Sequence, residues 1–267
     1  VVGYNVRRIL KVTLKLVNTF FQAYANPLKK NVKEPLMTTH FWLGGSIAKR
    51  ALACPGSLQY RSSGSSAAAD RGTLLHDAMT RLTTGEIERV EHAVGMSGNG
   101  QRVTQRDARM ALAPAHRAIK TWLDGAPAQY EVQVRFRSIR NAGGTADVLA
   151  PHGIADYKFG SRPVDVTKNE QMMFYAAAAI ECGALAPRKE YSLCIIQPEV
   201  KKTPMVDVVT HDELIDLTAR LKEAAKNARS KKPRFASGDH CTFCPARQRC
   251  PTRLDSPFAA LKAAFKP

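Results

Sequence analysis

The sequence predicts a mixed α/β fold, a central sheet flanked by helices, and three observations carry that expectation. Apolar residues recur at helical spacing up to Leu123, change to strict alternation at Tyr130, and return to helical spacing after Lys168. The element order is therefore helix, three strands, helix, strand, which calls for helices packed on a mixed sheet. Hydrophobic residues make up 44% of the 267, enough to bury a sizeable core and too many for wholesale disorder.

In chain order, residues 46–54 read as a short helix ended by Cys54-Pro55-Gly56, and 61–69, rich in Ser, Gly and Ala, as a loop. Asp70 or Thr73 is the expected cap of a helix over 72–83 that stops at Gly85. Residues 93–101 carry three glycines and read as a loop. Residues 106–123 are helical, with Ala111, Ala115, Ala118, Ile119 and Trp122 near one face and Pro114 expected to kink or split the helix. Strands are predicted at 130–137, 145–150 and 153–158, with a hairpin-like turn at 141–144. A helix over 168–182 follows, then an apolar strand at 190–197 and a short one at 206–210. Asp212 is expected to cap a long basic helix reaching Arg229, which Pro233 ends.

The net charge of +17 points to an anionic partner, nucleic acid or a membrane surface. It is concentrated at the ends. Residues 1–36 hold seven Lys/Arg against Glu34, and 220–253 hold ten against Glu223 and Asp239, whereas 37–219 is nearly neutral with 21 against 19. A basic face beside a neutral, carboxylate-bearing centre suits a protein that grips phosphates. Arg220, Lys222, Lys226, Arg229, Lys231, Lys232 and Arg234 are the candidate phosphate contacts. No stretch approaches the roughly 20 apolar residues of a membrane span, and 9–24 lacks the apolar centre and cleavage site of a signal peptide. The expected location is cytoplasmic. Met37 opens a run that reads as a natural beginning. Residues 1–36 are read as a basic extension upstream of the true start, with a DNA- or membrane-touching helix the other option. The remainder divides into a domain over 37–253 and a tail over 254–267.

Hydrolysis of a phosphodiester needs hard oxygen ligands for Mg²⁺ or Mn²⁺ and a cation near the scissile phosphate. Asp156-Tyr157-Lys158 supplies a carboxylate and an amine at i and i+2 of a strand, hence on one face. Asp147 lies on the neighbouring hairpin arm, with eight residues between it and Asp156, so the two carboxylates are expected to meet. Thirteen residues after Lys158, Gln171 and Tyr175 stand at i and i+4 of a helix and share a face. His76 puts an imidazole on an upstream helix.

Six cysteines are present. Cys182 and Cys194, at a helix end and in an apolar strand, read as buried thiols. Cys241, Cys244 and Cys250 form a tight ligand run with Cys54 far upstream. Disulfides do not persist in a reducing cytosol, so a metal or cluster is the better reading. Zinc usually takes two paired ligand groups, whereas here one distant cysteine joins three clustered ones.

Together, Gly72…His76, Glu131, Gly144-Thr-Ala-Asp147, Asp156-Tyr-Lys158 and Gln171-x-x-x-Tyr175 resemble the RecB-type branch of the PD-(D/E)XK nucleases, over about four-fifths of the chain. The resemblance implies a restriction-endonuclease-like core with Mg²⁺ or Mn²⁺ held by His76, Asp147, Asp156 and the Tyr157 carbonyl. It implies that Lys158 positions water and stabilises developing charge, that Gln171 and Tyr175 order the site and touch substrate, and that Glu131 is a supporting acid. The cysteine arrangement resembles the iron–sulfur staple of AddB-type nucleases and CRISPR-adaptation exonucleases, and Cys54-Pro-Gly-Ser57 and Cys244-Pro-Ala246 match RecB-like nucleases of phages and prophages. It implies a 4Fe–4S cluster on Cys54, Cys241, Cys244 and Cys250, with Zn²⁺ the alternative. The expected activity is a metal-dependent deoxyribonuclease acting on single strands or duplex ends in phage recombination, repair or replication, beside a recombination or replication partner protein. The competing expectations are a non-catalytic DNA-binding or assembly subunit of the same fold and a zinc-stabilised regulator.

Overall fold

A computed structural model of the chain describes residues 41–61 and 66–254. The extension over 1–36, and the tail over 254–267 apart from its first residue, lie outside the described residues.

The elements are α1 (Ala48–Ala53), α2 (Ala67–Thr84), a composite helix α3 (Gln105–Asp107, Ala108–Leu112 and Ala113–Leu123), β1 (Gln129–Arg135), β2 (Gly143–Ala150), β3 (Gly153–Tyr157), α4 (Glu170–Cys182), β4 (Glu190–Ile196), β5 (Met205–Thr210) and α5 (His211–Ala228). The five strands form one mixed sheet in chain order. Neighbours are antiparallel except β3 and β4, which run parallel. A parallel pair needs a crossover, and α4 lies within that connection.

The sheet is sandwiched. On one side Val134, Ala146, Ile154, Tyr191, Leu193 and Ile195 pack against α1, α4 and α5; on the other Val148, Ala150, Ala155, Tyr157, Cys194 and Ile196 pack against α2 and α3. Helix α4 is buried from Met172 to Ala179 because it sits between the sheet and α5, which explains its all-round apolar sequence.

Three local expectations are corrected. Helix α2 starts inside the expected loop, at Ala67, because Ser66 rather than Asp70 or Thr73 is the N-cap, its hydroxyl accepting from Ala69 N. Helix α5 is capped by Thr210, not Asp212, in a reciprocal box with Glu213. Cys182, at the end of α4, is half-buried rather than buried, while Cys194 is buried as expected. Pro114 does split its helix. A π-helical stretch, Ala108–Leu112, precedes it, absorbing the missing donor and the ring of Pro114.

What positions the site is an opening in the sheet. The β2–β3 ladder ends at Val148↔Ala155, so Asp147 and Asp156, one step further, are not paired. On the other side of β2 the β1 register passes from Tyr130↔Val148 to Val132↔Ala146, leaving out Glu131 and Asp147. Glu131 has φ 52°, a left-handed conformation rare for a residue with a side chain and a means of re-aiming one out of the pleat.

Candidate active site

Three acids from three adjacent strands meet at this opening. Alternation on β3 sends Asp156 and Lys158 to the α4 side and Tyr157 to the α2 side. Asp156 is 3% exposed. Its Oδ1 accepts from Gln171 Nε2 at 3.1 Å, and its Oδ2 meets Lys158 Nζ at 2.7 Å. Lys158 Nζ also donates to Gln171 Oε1 at 3.2 Å, closing a triangle of carboxylate, ammonium and amide. Asp156 Oδ2 has this ion pair but no well-directed hydrogen bond.

Asp147 takes the place of a lost ladder bond: its Oδ2 accepts from Tyr157 N at 2.8 Å. The same oxygen lies 3.3 Å from His76 Nδ1. The His76 ring is fixed edge-on by Phe159 and Tyr157, at 5.4 and 6.0 Å between centroids. Glu131 Oε1 accepts from Thr80 Oγ1, one turn along α2 from His76. One donor atom each from His76, Glu131 and Asp147 lie within 4.8 Å of one another. Sequence reasoning put Asp156 in that trio and gave Glu131 a supporting part. The structure brings Glu131 to the imidazole, while Asp156 faces Lys158 and Gln171 yet stays within the electrostatic reach of Asp147 and His76.

The electrostatics reflect crowding. Burial raises the Asp156 pKa; Lys158 pulls it down and Asp147 pushes it up, and the net direction is up. Glu131 is raised by burial and then by the charge of Asp147. For His76, burial alone would lower the pKa, but the hydrogen bond and charge of Asp147, with the charge of Asp156, raise it. Burial likewise opposes the Lys158 ammonium, and Asp156 more than offsets it.

Tyr175 is buried one turn beyond Gln171, with which its hydroxyl interacts. A Cβ on Gly45 or Gly144 would come within 2.7 or 2.9 Å of its ring, so the absence of side chains there lets the tyrosine seat. Its part in this arrangement is to hold Gln171. The Tyr157 phenol is buried with no hydrogen-bond partner, and burial, then the charge of Asp147, raises its pKa.

Two framing residues escaped the sequence. Arg71 donates to Asp107 at 2.7 Å, pairs with Glu199 at 3.1 Å and bonds the carbonyl of Phe159, the residue after Lys158. Gln197, 1% exposed, donates to the carbonyls of Gly160 and Arg162 and accepts from Val164 N. Polar residues of this kind look like surface in a single sequence; only their long-range partners mark them.

The second cluster is at a corner of the domain. Cys54, Cys241, Cys244 and Cys250 line one cavity with Tyr60, Phe235, His240, Arg247 and Arg253. The backbone brings Cys54 there: Gly56 N donates to Arg234 O, and a Cβ on Gly56 would strike the Phe235 ring at 2.5 Å. Ala236 N points at Cys54 Sγ at 3.4 Å, and Arg50 reaches Cys244 Sγ at 3.9 Å. Cys182 and Cys194 lie elsewhere.

The seven basic residues on and after α5 are all exposed. Two have partners: Arg220 pairs with Asp216, and Arg229 stacks 3.9 Å over the Trp42 ring while donating to Arg140 O. Among the described residues, no helix is long and apolar enough to cross a membrane.

A family model described as protein of unknown function, DUF2800, matches residues 40–267. The chain belongs to this family. No curated protein matches it. Two solved structures of LHK-Exo are similar to it. One, the crystal structure of LHK-Exo in complex with dAMP, is 12% identical with a TM-score of 0.32, over 68% of this chain and 90% of that one. The other, an alkaline exonuclease (LHK-Exo) from Laribacter hongkongensis, is 11% identical with a TM-score of 0.29, over 69% and 89%.

The donors of this DUF2800 chain fit the groups its motifs imply. Three carboxylates and one imidazole converge at the opening, and Asp156 Oδ2, which faces the Lys158 ammonium, is a hard oxygen donor. Oxygen ligands with one imidazole suit Mg²⁺ or Mn²⁺. At the corner, four thiols line one cavity, with an N–H donor to the Cys54 sulfur and arginines nearby, a donor set that suits a thiolate-bound metal or cluster.

Proposed function

We infer that this protein is a metal-dependent deoxyribonuclease of the PD-(D/E)XK type, RecB branch, with a structural 4Fe–4S cluster. The observation that carries the reading is the buried Asp156–Lys158–Gln171 triangle set beside His76, Glu131 and Asp147 where β2 and β3 part. A charged Lys–Asp pair this deep is a poor stabilising device on its own. Beside two further acids and an imidazole it makes chemical sense as a place to handle a phosphate and a cation.

His76, Asp147, Asp156 and the Tyr157 carbonyl, joined by Glu131, would hold Mg²⁺ or Mn²⁺. When bound, the cation supplies Lewis acidity toward a phosphoryl oxygen and lowers the pKa of water. The chain's own groups do the rest. Lys158, kept protonated by Asp156, offers a fixed positive charge to the phosphate as negative charge builds on it. Gln171 prevents that ammonium and carboxylate from collapsing into any other geometry, and Tyr175 holds Gln171. The exposed basic residues of α5 and the segment after it would take the phosphates of the flanking strand. Cys54, Cys241, Cys244 and Cys250 would ligate the cluster, tying residue 54 to 241–250 across the catalytic core.

The test is digestion of end-labelled single- and double-stranded DNA by protein purified without oxygen, with and without Mn²⁺ or Mg²⁺. Cation-dependent shortening of the labelled strand, stopped by a chelator, is expected. Binding without cleavage under every condition would point instead to a non-catalytic subunit.

A further inference from the structure

Phe243 stands between two of the cluster cysteines and is 72% exposed, more than any other large hydrophobic residue among those described. It is not left bare by accident of packing, because the guanidinium of Arg162 lies 4.7 Å over its ring. A cation–π contact that served only to pin two loops would gain by burying the ring; this one leaves most of the ring open to solvent. Arg162 in turn is held from below. Buried Gln197 donates to the carbonyls of Gly160 and Arg162, both at 2.7 Å, and accepts from Val164 N at 3.0 Å. Such a fully bonded side chain fixes a loop that would otherwise wander. The loop begins at Lys158, so the Arg162 backbone is within about 14 Å of the catalytic lysine even fully extended. A second cation–ring pair, Arg249 over Tyr60 at 5.5 Å, stands at the same corner, where Tyr60 lines the cysteine cavity.

We propose that Phe243 and Arg162 form a stacking platform for an unpaired base of a single-stranded DNA segment beside the active site. An open aromatic face with a rigid planar cation next to it recognises any base through its π-surface while the positive charge serves the phosphate, the combination that sequence-tolerant single-strand binding uses. A base pair inside a duplex has no free face to offer, so the platform favours single strands. The proposal rests on the nuclease reading for its ligand but makes a separate claim, about strand state.

The experiment is binding of anaerobically purified protein, without added Mg²⁺ or Mn²⁺, to a single-stranded oligonucleotide carrying 2-aminopurine, with a blunt duplex of the same length in parallel. Stacking on Phe243 quenches the probe. Phe243→Ala is expected to weaken single-strand binding about five-fold to a hundred-fold and to remove the quench, with duplex binding unchanged; Phe243→Trp should retain both. Because Phe243 adjoins cluster ligands, Arg162→Ala, away from the cysteines, should reproduce the loss in part, and visible absorption of each variant reports the cluster. Single-strand affinity and quench equal to wild type in Phe243→Ala would overturn the platform while leaving the nuclease reading intact. A wild-type protein that binds neither DNA would overturn both.

Discussion

The sheet opening and the cysteine corner are both clusters of chemically active side chains, but they are built in opposite ways. At the opening, each group comes from a regular element. Strands β1, β2 and β3 supply Glu131, Asp147 and Asp156, α2 supplies His76, and α4 supplies Gln171. Every one of these side chains already has a partner within the protein. The corner is made of short turns over 54–60 and 234–250, with two sulfurs receiving N–H donors and the four thiols around a cavity. The contrast teaches that the first site is preorganised by regular elements, whereas the second is assembled from turns. In the proposed function, a cluster held by these thiols would substitute for the regular structure this corner lacks.

That contrast breaks if the two sites respond alike to substitution. The largest expected effect is on catalysis: Asp156→Ala and Lys158→Ala should each cut DNA cleavage by at least about a hundred-fold while leaving DNA affinity within error. Wild-type rates in both would remove the site from where we place it. Next comes stability. Cys54→Ser and Cys250→Ser should bleach the brown protein alike and lower Tm by roughly 10 °C, taking about 3 kcal/mol lost and about 2–4 °C per kcal/mol at this size. Activity should fall with the fold, and Cys182→Ser and Cys194→Ser should keep the colour. A Cys54→Ser protein with full colour would show that the upstream cysteine does not close the corner.

A smaller effect sharpens the view of the opening. Glu131→Gln should weaken Mn²⁺ binding roughly ten-fold without lowering Tm, because Glu131 is exposed and its hydrogen bond is from Thr80. The smallest effect is on salt dependence. Replacing Lys222, Lys226 and Lys231 together should flatten the slope of log affinity against log salt by up to about 2.7 on duplex, at about 0.9 per phosphate. An unchanged slope would mean the strand runs elsewhere.

Much of the opening could be read in the chain because strand geometry is periodic. Asp156 and Lys158 had to share a face two residues apart, and Gln171 and Tyr175 had to share one four apart; both hold. The place of Glu131 could not be read so. Its side chain reaches the imidazole through a positive φ and a gap in the ladder, features that periodicity does not encode. Helix starts failed at the competition between neighbouring caps. Ser66 and Thr210 prevailed because their hydroxyls reach the third following N–H, which local chemistry permits equally at Asp70 or Asp212. At the corner, spacing groups Cys241, Cys244 and Cys250, but bringing Cys54 to them depends on Gly56 packing against Phe235, a contact between segments far apart in the chain.

The most direct test of two centres with two jobs is anomalous diffraction from crystals of anaerobically prepared protein soaked in Mn²⁺, recorded at the manganese, iron and zinc edges. We expect a manganese peak among His76, Glu131, Asp147 and Asp156 and iron density among Cys54, Cys241, Cys244 and Cys250. No manganese at the carboxylates, or a single zinc peak among the cysteines, would contradict the respective half of this account.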